Sequence, residues 1–66
     1  MRRFTDYREA AQYARDKANA LELCVGILRS REYGKDGYNV FLIPTDPAKR
    51  FDRDARAEVI GPERRA

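Results

Sequence analysis

Arg29, Arg31, Tyr33, Lys35 and Tyr38 lie within one ten-residue span. Cations interleaved with aromatics do two kinds of work. They stack on nucleobases while holding phosphate, or they anchor a protein interface, where Tyr and Arg are enriched among the residues that carry binding energy. Glu32 and Asp36 sit in the same span and would repel phosphate, which favours the protein partner. Phe41, just beyond, adds an apolar anchor to the same set. The candidate partner-binding residues are therefore Arg29, Arg31, Tyr33, Lys35, Tyr38 and Phe41.

Catalytic chemistry has little to work with. The chain contains no histidine, the side chain most often used for proton transfer near neutral pH. Cys24 is the only cysteine and stands in an apolar run, where a thiol is usually an inert packing group. Ser30 and Thr45 have no base at a recognisable spacing. Asp46, Asp52 and Asp54 are interrupted by Pro47, Lys49, Arg50 and Arg53 and do not follow a calcium-loop pattern. A lone thiol without histidine cannot complete a tetrahedral zinc site. Gly26, Gly34, Gly37 and Gly61 are scattered, with no phosphate-binding loop. The expectation is a protein that is not an enzyme and takes no metal or cofactor.

Charge gives a weaker signal. Fourteen Lys and Arg stand against eleven Asp and Glu, a net charge of +3 over 66 residues. Residues 1–24, 25–44 and 45–66 each carry +1, so the excess is spread thinly rather than gathered into a phosphate track. The lone cysteine fits a reducing compartment. Neither a signal-peptide core nor a run approaching the ~20 apolar residues of a membrane span is present. A cytoplasmic protein without membrane contact is expected.

The elements that must position these residues follow from periodicity. Tyr7, Ala10, Ala11, Ala14, Ala18 and Leu21 recur at three-and-four spacing, which predicts a helix over residues 6–20. Asp6 and Glu9 have the spacing of a capping box. The mostly alanine stripe allows the helix to lie close to a sheet. Arg8, Gln12, Arg15 and Asn19 form its polar face. Residues 23–29 and 38–43 read as strands, and the intervening glycines, above all Asp36-Gly37, predict a hairpin. Asp46-Pro47 suits the start of a short helical turn. Residues 56–60 read as a third strand, with a helix starting near Asp52 as the alternative. The expected fold is α+β, one N-terminal helix on a small antiparallel sheet in the order α-β-β-(β). It forms a single domain over residues 1–62, with a flexible tail at 63–66.

The second strand carries large apolar groups on both faces: Val40 and Leu42 on one, Phe41 and Ile43 on the other. One helix covers one face. The other requires the C-terminal segment, a second copy in a homodimer, or a partner. Taken with the missing catalytic residues, this predicts a binding module whose partner is a protein or nucleoprotein complex, with direct DNA or RNA binding by the hairpin as the alternative. In size and in lacking catalytic residues the chain is similar to small phage and mobile-element products, anti-CRISPR proteins among them. That similarity implies an inhibitor that blocks a host nucleoprotein complex, although no residue identifies a target.

Overall fold

The computed structural model describes residues 2–63. Its elements are β1 (Arg2–Phe4), α1 (Tyr7–Leu21), β2 (Val25–Glu32), β3 (Lys35–Leu42), a 3₁₀ turn (Pro47–Lys49), α2 (Asp52–Arg56) and β4 (Glu58–Ile60). The four strands form one antiparallel sheet in the order β1-β3-β2-β4. The fold is α+β, with the long helix preceding the central hairpin.

α1 starts where Asp6 accepts a hydrogen bond from the Arg8 backbone N–H, an N-cap to the second helical residue rather than the reciprocal Asp6–Glu9 bonds of the expected capping box. It ends at Glu22, whose left-handed backbone (φ 55°) closes the last turn. The buried stripe is Ala10, Ala14 and Ala18, set against Val25, Ile27 and Val40. Because these helix residues end at Cβ, branched side chains of the sheet fill the gap at close range, as dense interior packing demands. Phe4, Tyr13, Tyr38 and Ile60 seal the margins of this layer.

Three elements differ from the sequence expectation. β1 was not anticipated: three residues, two of them arginines, are too short and too polar to show strand alternation. It gains its structure by pairing Arg2, Arg3 and Phe4 with Val40, Asn39 and Tyr38 of β3. At the C-terminal end, strand and helix are both present, since α2 occupies residues 52–56 and β4 only residues 58–60. The turn of the hairpin also moves. β2 and β3 remain paired to Glu32 and Lys35, so the connection is the two-residue loop Tyr33-Gly34, with φ of 52° and 77°. Positive φ at both positions is the signature of the tight turn whose twist matches the strands.

The second face of β3 is closed from within the chain. Phe41 and Ile43 are only 3% and 4% exposed, and the Arg53 guanidinium lies over the Phe41 ring at 4.5 Å. Gly26 makes room for them: a Cβ there would come within 2.9 Å of the Phe41 ring and 3.0 Å of Ile43. α2 is anchored by Asp54, whose buried carboxylate accepts from the Phe51 backbone N–H at 2.7 Å. Asp46 caps the preceding turn by accepting from the Ala48 N–H. Glu63, assigned to the tail on sequence, is instead tied to the polar face of α1, its N–H donating to Asn19 Oδ1 at 2.7 Å. Residues 64–66 of that expected tail lie outside the described residues.

Candidate functional site

The hairpin extends past the start of α1 as an arm, and four of the six candidate residues belong to it. Arg29 faces Tyr38, and Arg31 faces Asp36, across the ladder. Lys35 and Glu32 close the hairpin next to Tyr33. Tyr33 is fully exposed and holds a left-handed backbone in which glycine, asparagine or aspartate are the usual occupants. Gly34 beside it has no atom within 4 Å of where a Cβ would stand, so the tip is open.

The charges on the arm are unevenly partnered. Arg29 meets Asp36 at 3.4 Å, an exposed pair of little energetic weight. Arg31 reaches the Gly34 carbonyl at 3.4 Å. Neither Arg31 nor Lys35 forms an ion pair among the described residues.

Tyr38 and Phe41 are placed differently from the other four. Tyr38 stands at the base of the arm, half-buried, edge-on to Tyr7 with ring centroids 5.4 Å apart. Tyr7 in turn donates its hydroxyl proton to Glu58 Oε2. This hydrogen bond, with smaller contributions from desolvation and from the Glu58 charge, holds the Tyr7 phenol above its ordinary pKa of 10.0. Phe41 is on the opposite face of the sheet and buried under Arg53. Phe41, expected to offer a partner an apolar anchor, is thus part of the interior, because Arg53 of α2 covers its ring. A physical consequence is that Phe41 cannot touch a partner while α2 is in place.

One residue that shapes the arm gave no signal in the sequence. Arg3 of β1 lays its guanidinium across the arm, donating to Ser30 Oγ at 2.9 Å, Asn39 Oδ1 at 3.0 Å, the Ser30 carbonyl at 3.0 Å and the Lys35 carbonyl at 3.2 Å. It also pairs with Glu32 at 3.2 Å. Asn39 donates to Ser30 Oγ, completing the cluster. Gly37, which looked like a turn residue, is a buried strand position beneath this guanidinium; a Cβ there would be 2.6 Å from Arg3 Cζ.

The carboxylates Asp46, Asp52 and Asp54 do not converge, and among the described residues no group of three or more metal-ligating side chains occurs. No helix of the described residues is long and apolar enough to cross a membrane. In comparisons with protein-family models, curated proteins and solved structures, nothing matches the chain significantly.

Proposed function

We propose that this chain is a non-enzymatic protein-binding module that presents the hairpin arm, with Tyr33, Arg31 and Lys35 as the contact residues at its tip. One observation carries the reading. Tyr33 occupies a left-handed turn position while making no use of its ring in the fold. An uncommon backbone conformation held by an unsuited residue is a reason to look for function at that residue. Tyr and Arg are suited to interface centres, and the carboxylates Glu32 and Asp36 temper the arm against phosphate.

A second reading has its own support. Arg31 and Lys35 flank the exposed Tyr33 ring without carboxylate partners among the described residues, an arrangement that also suits single-stranded nucleic acid. The two readings separate in an affinity capture from cell lysate with the tagged chain, with and without nuclease, at two salt concentrations. A protein or nucleoprotein partner retained after nuclease and at the higher salt, and lost with Tyr33→Asn, is the expected result. Recovery of nucleic acid alone, released as salt rises, would replace protein binding with the second reading.

A further inference from the structure

The sheet has an unfinished edge. A two-residue turn makes Glu32 and Lys35 a hydrogen-bonded pair, and the alternation of an antiparallel ladder then turns the backbone groups of Arg29 and Arg31 away from β3. Val25 and Ile27, in the same phase, meet Ile60 and Glu58 of β4. β4 begins at Glu58, so beyond Ile27 no strand of the described residues pairs with this side of β2. The N–H and C=O of Arg29 and Arg31 consequently line an open edge. A shallow hollow at the end of β4, bordered by Tyr7, Leu28, Arg29, Tyr38, Arg56 and Glu58, adjoins it.

We infer that this edge of β2, from Leu28 to Glu32, accepts an extended acidic segment of a partner protein as an added strand. The inference rests on the protein-binding reading above and gives its partner a chemistry. Arg29 and Arg31 are two residues apart and share the α1 side of the sheet, and Arg56 borders the same hollow. An incoming strand with carboxylates at alternate positions would set them beside Arg29 and Arg31 while its backbone completes the ladder. Asp36 now holds Arg29 only through an exposed contact, which an incoming carboxylate can replace. A second copy of this chain is disfavoured at the same place, because antiparallel self-pairing centred on the edge sets Arg29 opposite Arg31, and like charges directly opposed destabilise a sheet. The arginines therefore both guard the edge against self-association and select for acid.

The test uses the purified chain and synthetic peptides, with amide exchange followed by NMR. The probes are a capped hexapeptide alternating valine and glutamate, its valine–lysine counterpart, and the glutamate peptide N-methylated along its hydrogen-bonding edge. Added at saturation, the glutamate peptide is expected to slow exchange of the Arg29 and Arg31 amides by about tenfold or more, with the effect weakening as salt rises. The lysine and N-methylated peptides should not slow it, and a doubly substituted chain, Arg29→Glu with Arg31→Glu, should exchange the preference for glutamate with one for lysine. No slowing, equal slowing by the lysine peptide, or retained slowing by the N-methylated one would overturn the proposal. So would slowing that depends on protein concentration without peptide, which would place a second copy at the edge. Partner capture that depends on Tyr33 while the Arg29 and Arg31 amides stay unprotected would sink strand addition and leave protein binding standing; peptide binding without any captured partner would do the reverse.

Discussion

The two ends of the β2–β3 hairpin are held by different forces. At its base, Val25, Ile27, Val40 and Phe41 are enclosed by α1 on one face and by α2 on the other, and burial of apolar surface does the stabilising. Toward the tip, neither helix contributes a buried side chain. The arm is organised instead by Arg3, one guanidinium shared among Ser30, Asn39, Glu32 and the Lys35 carbonyl. A non-directional force builds the base and a directional one builds the arm. The difference explains how 66 residues can sustain a projecting element: a polar clasp orders a strand pair without an apolar layer that would have to be hidden from water.

The largest loss is expected at the base. Phe41→Ala removes a ring from a closed site, for an expected loss of about 3–5 kcal/mol. A single small core rarely supplies more than about that much net stability, so the variant should be largely unfolded by circular dichroism at room temperature. A cooperative urea transition within ~1 kcal/mol of the unsubstituted chain would mean that α2 does not close this face.

A smaller and more local loss is expected in the arm. Arg3→Ala leaves Ser30 and Asn39 to one another and to water, costing about 1–3 kcal/mol. Amide exchange should accelerate from Ser30 to Gly37 and remain slow at Val25 and Ile27. Gly37→Ala should reproduce the pattern by displacing the guanidinium. Uniform acceleration along both strands would erase the distinction between base and arm.

At the tip the sign reverses. Tyr33→Asn supplies a residue that accepts the left-handed backbone, and stability should rise by about 1 kcal/mol in urea denaturation. A decrease would show that the ring stabilises the folded chain.

The smallest effect is at the junction between base and arm. Tyr7 keeps its proton more tightly in the folded chain than its ordinary pKa of 10.0 implies, first through the hydrogen bond to Glu58. Its contribution to stability is thus complete below pH 10.0 and fades as pH rises through the elevated folded value. Tyrosine absorbance during alkaline titration should show one late-ionising phenol that reverts in Glu58→Ala. An unchanged titration would remove the contact as a link between α1 and β4.

The elements governed by periodicity were legible from the residues. The alanine stripe placed α1 within one residue at each end, and the doubly apolar Val40-Phe41-Leu42-Ile43 run announced a strand with cover on both sides, which Val40, Phe41 and Ile43 receive while Leu42 stays half exposed. Which of three candidates covered the second face was not legible, since α2 is five residues long and gains its place from Arg53 on Phe41 and the Asp54 cap rather than from its own pattern. β1 and the Arg3 cluster were invisible for a related reason: their partners are 27 to 38 positions away, and long-range contacts leave no local periodicity. The turn was misplaced because Asp36-Gly37 is better turn chemistry than Tyr33-Gly34. Only the Arg3 guanidinium over Gly37 explains why a glycine belongs within the strand.

On the proposed function, Tyr33 keeps its unsuited turn position for the sake of binding. The direct test is affinity capture with the unsubstituted chain and with Tyr33→Asn side by side, at a temperature where both are folded by circular dichroism. The variant, at least as stable, is expected to lose the nuclease-resistant partner. Equal recovery of that partner by both chains would contradict it and move the binding surface away from the hairpin tip.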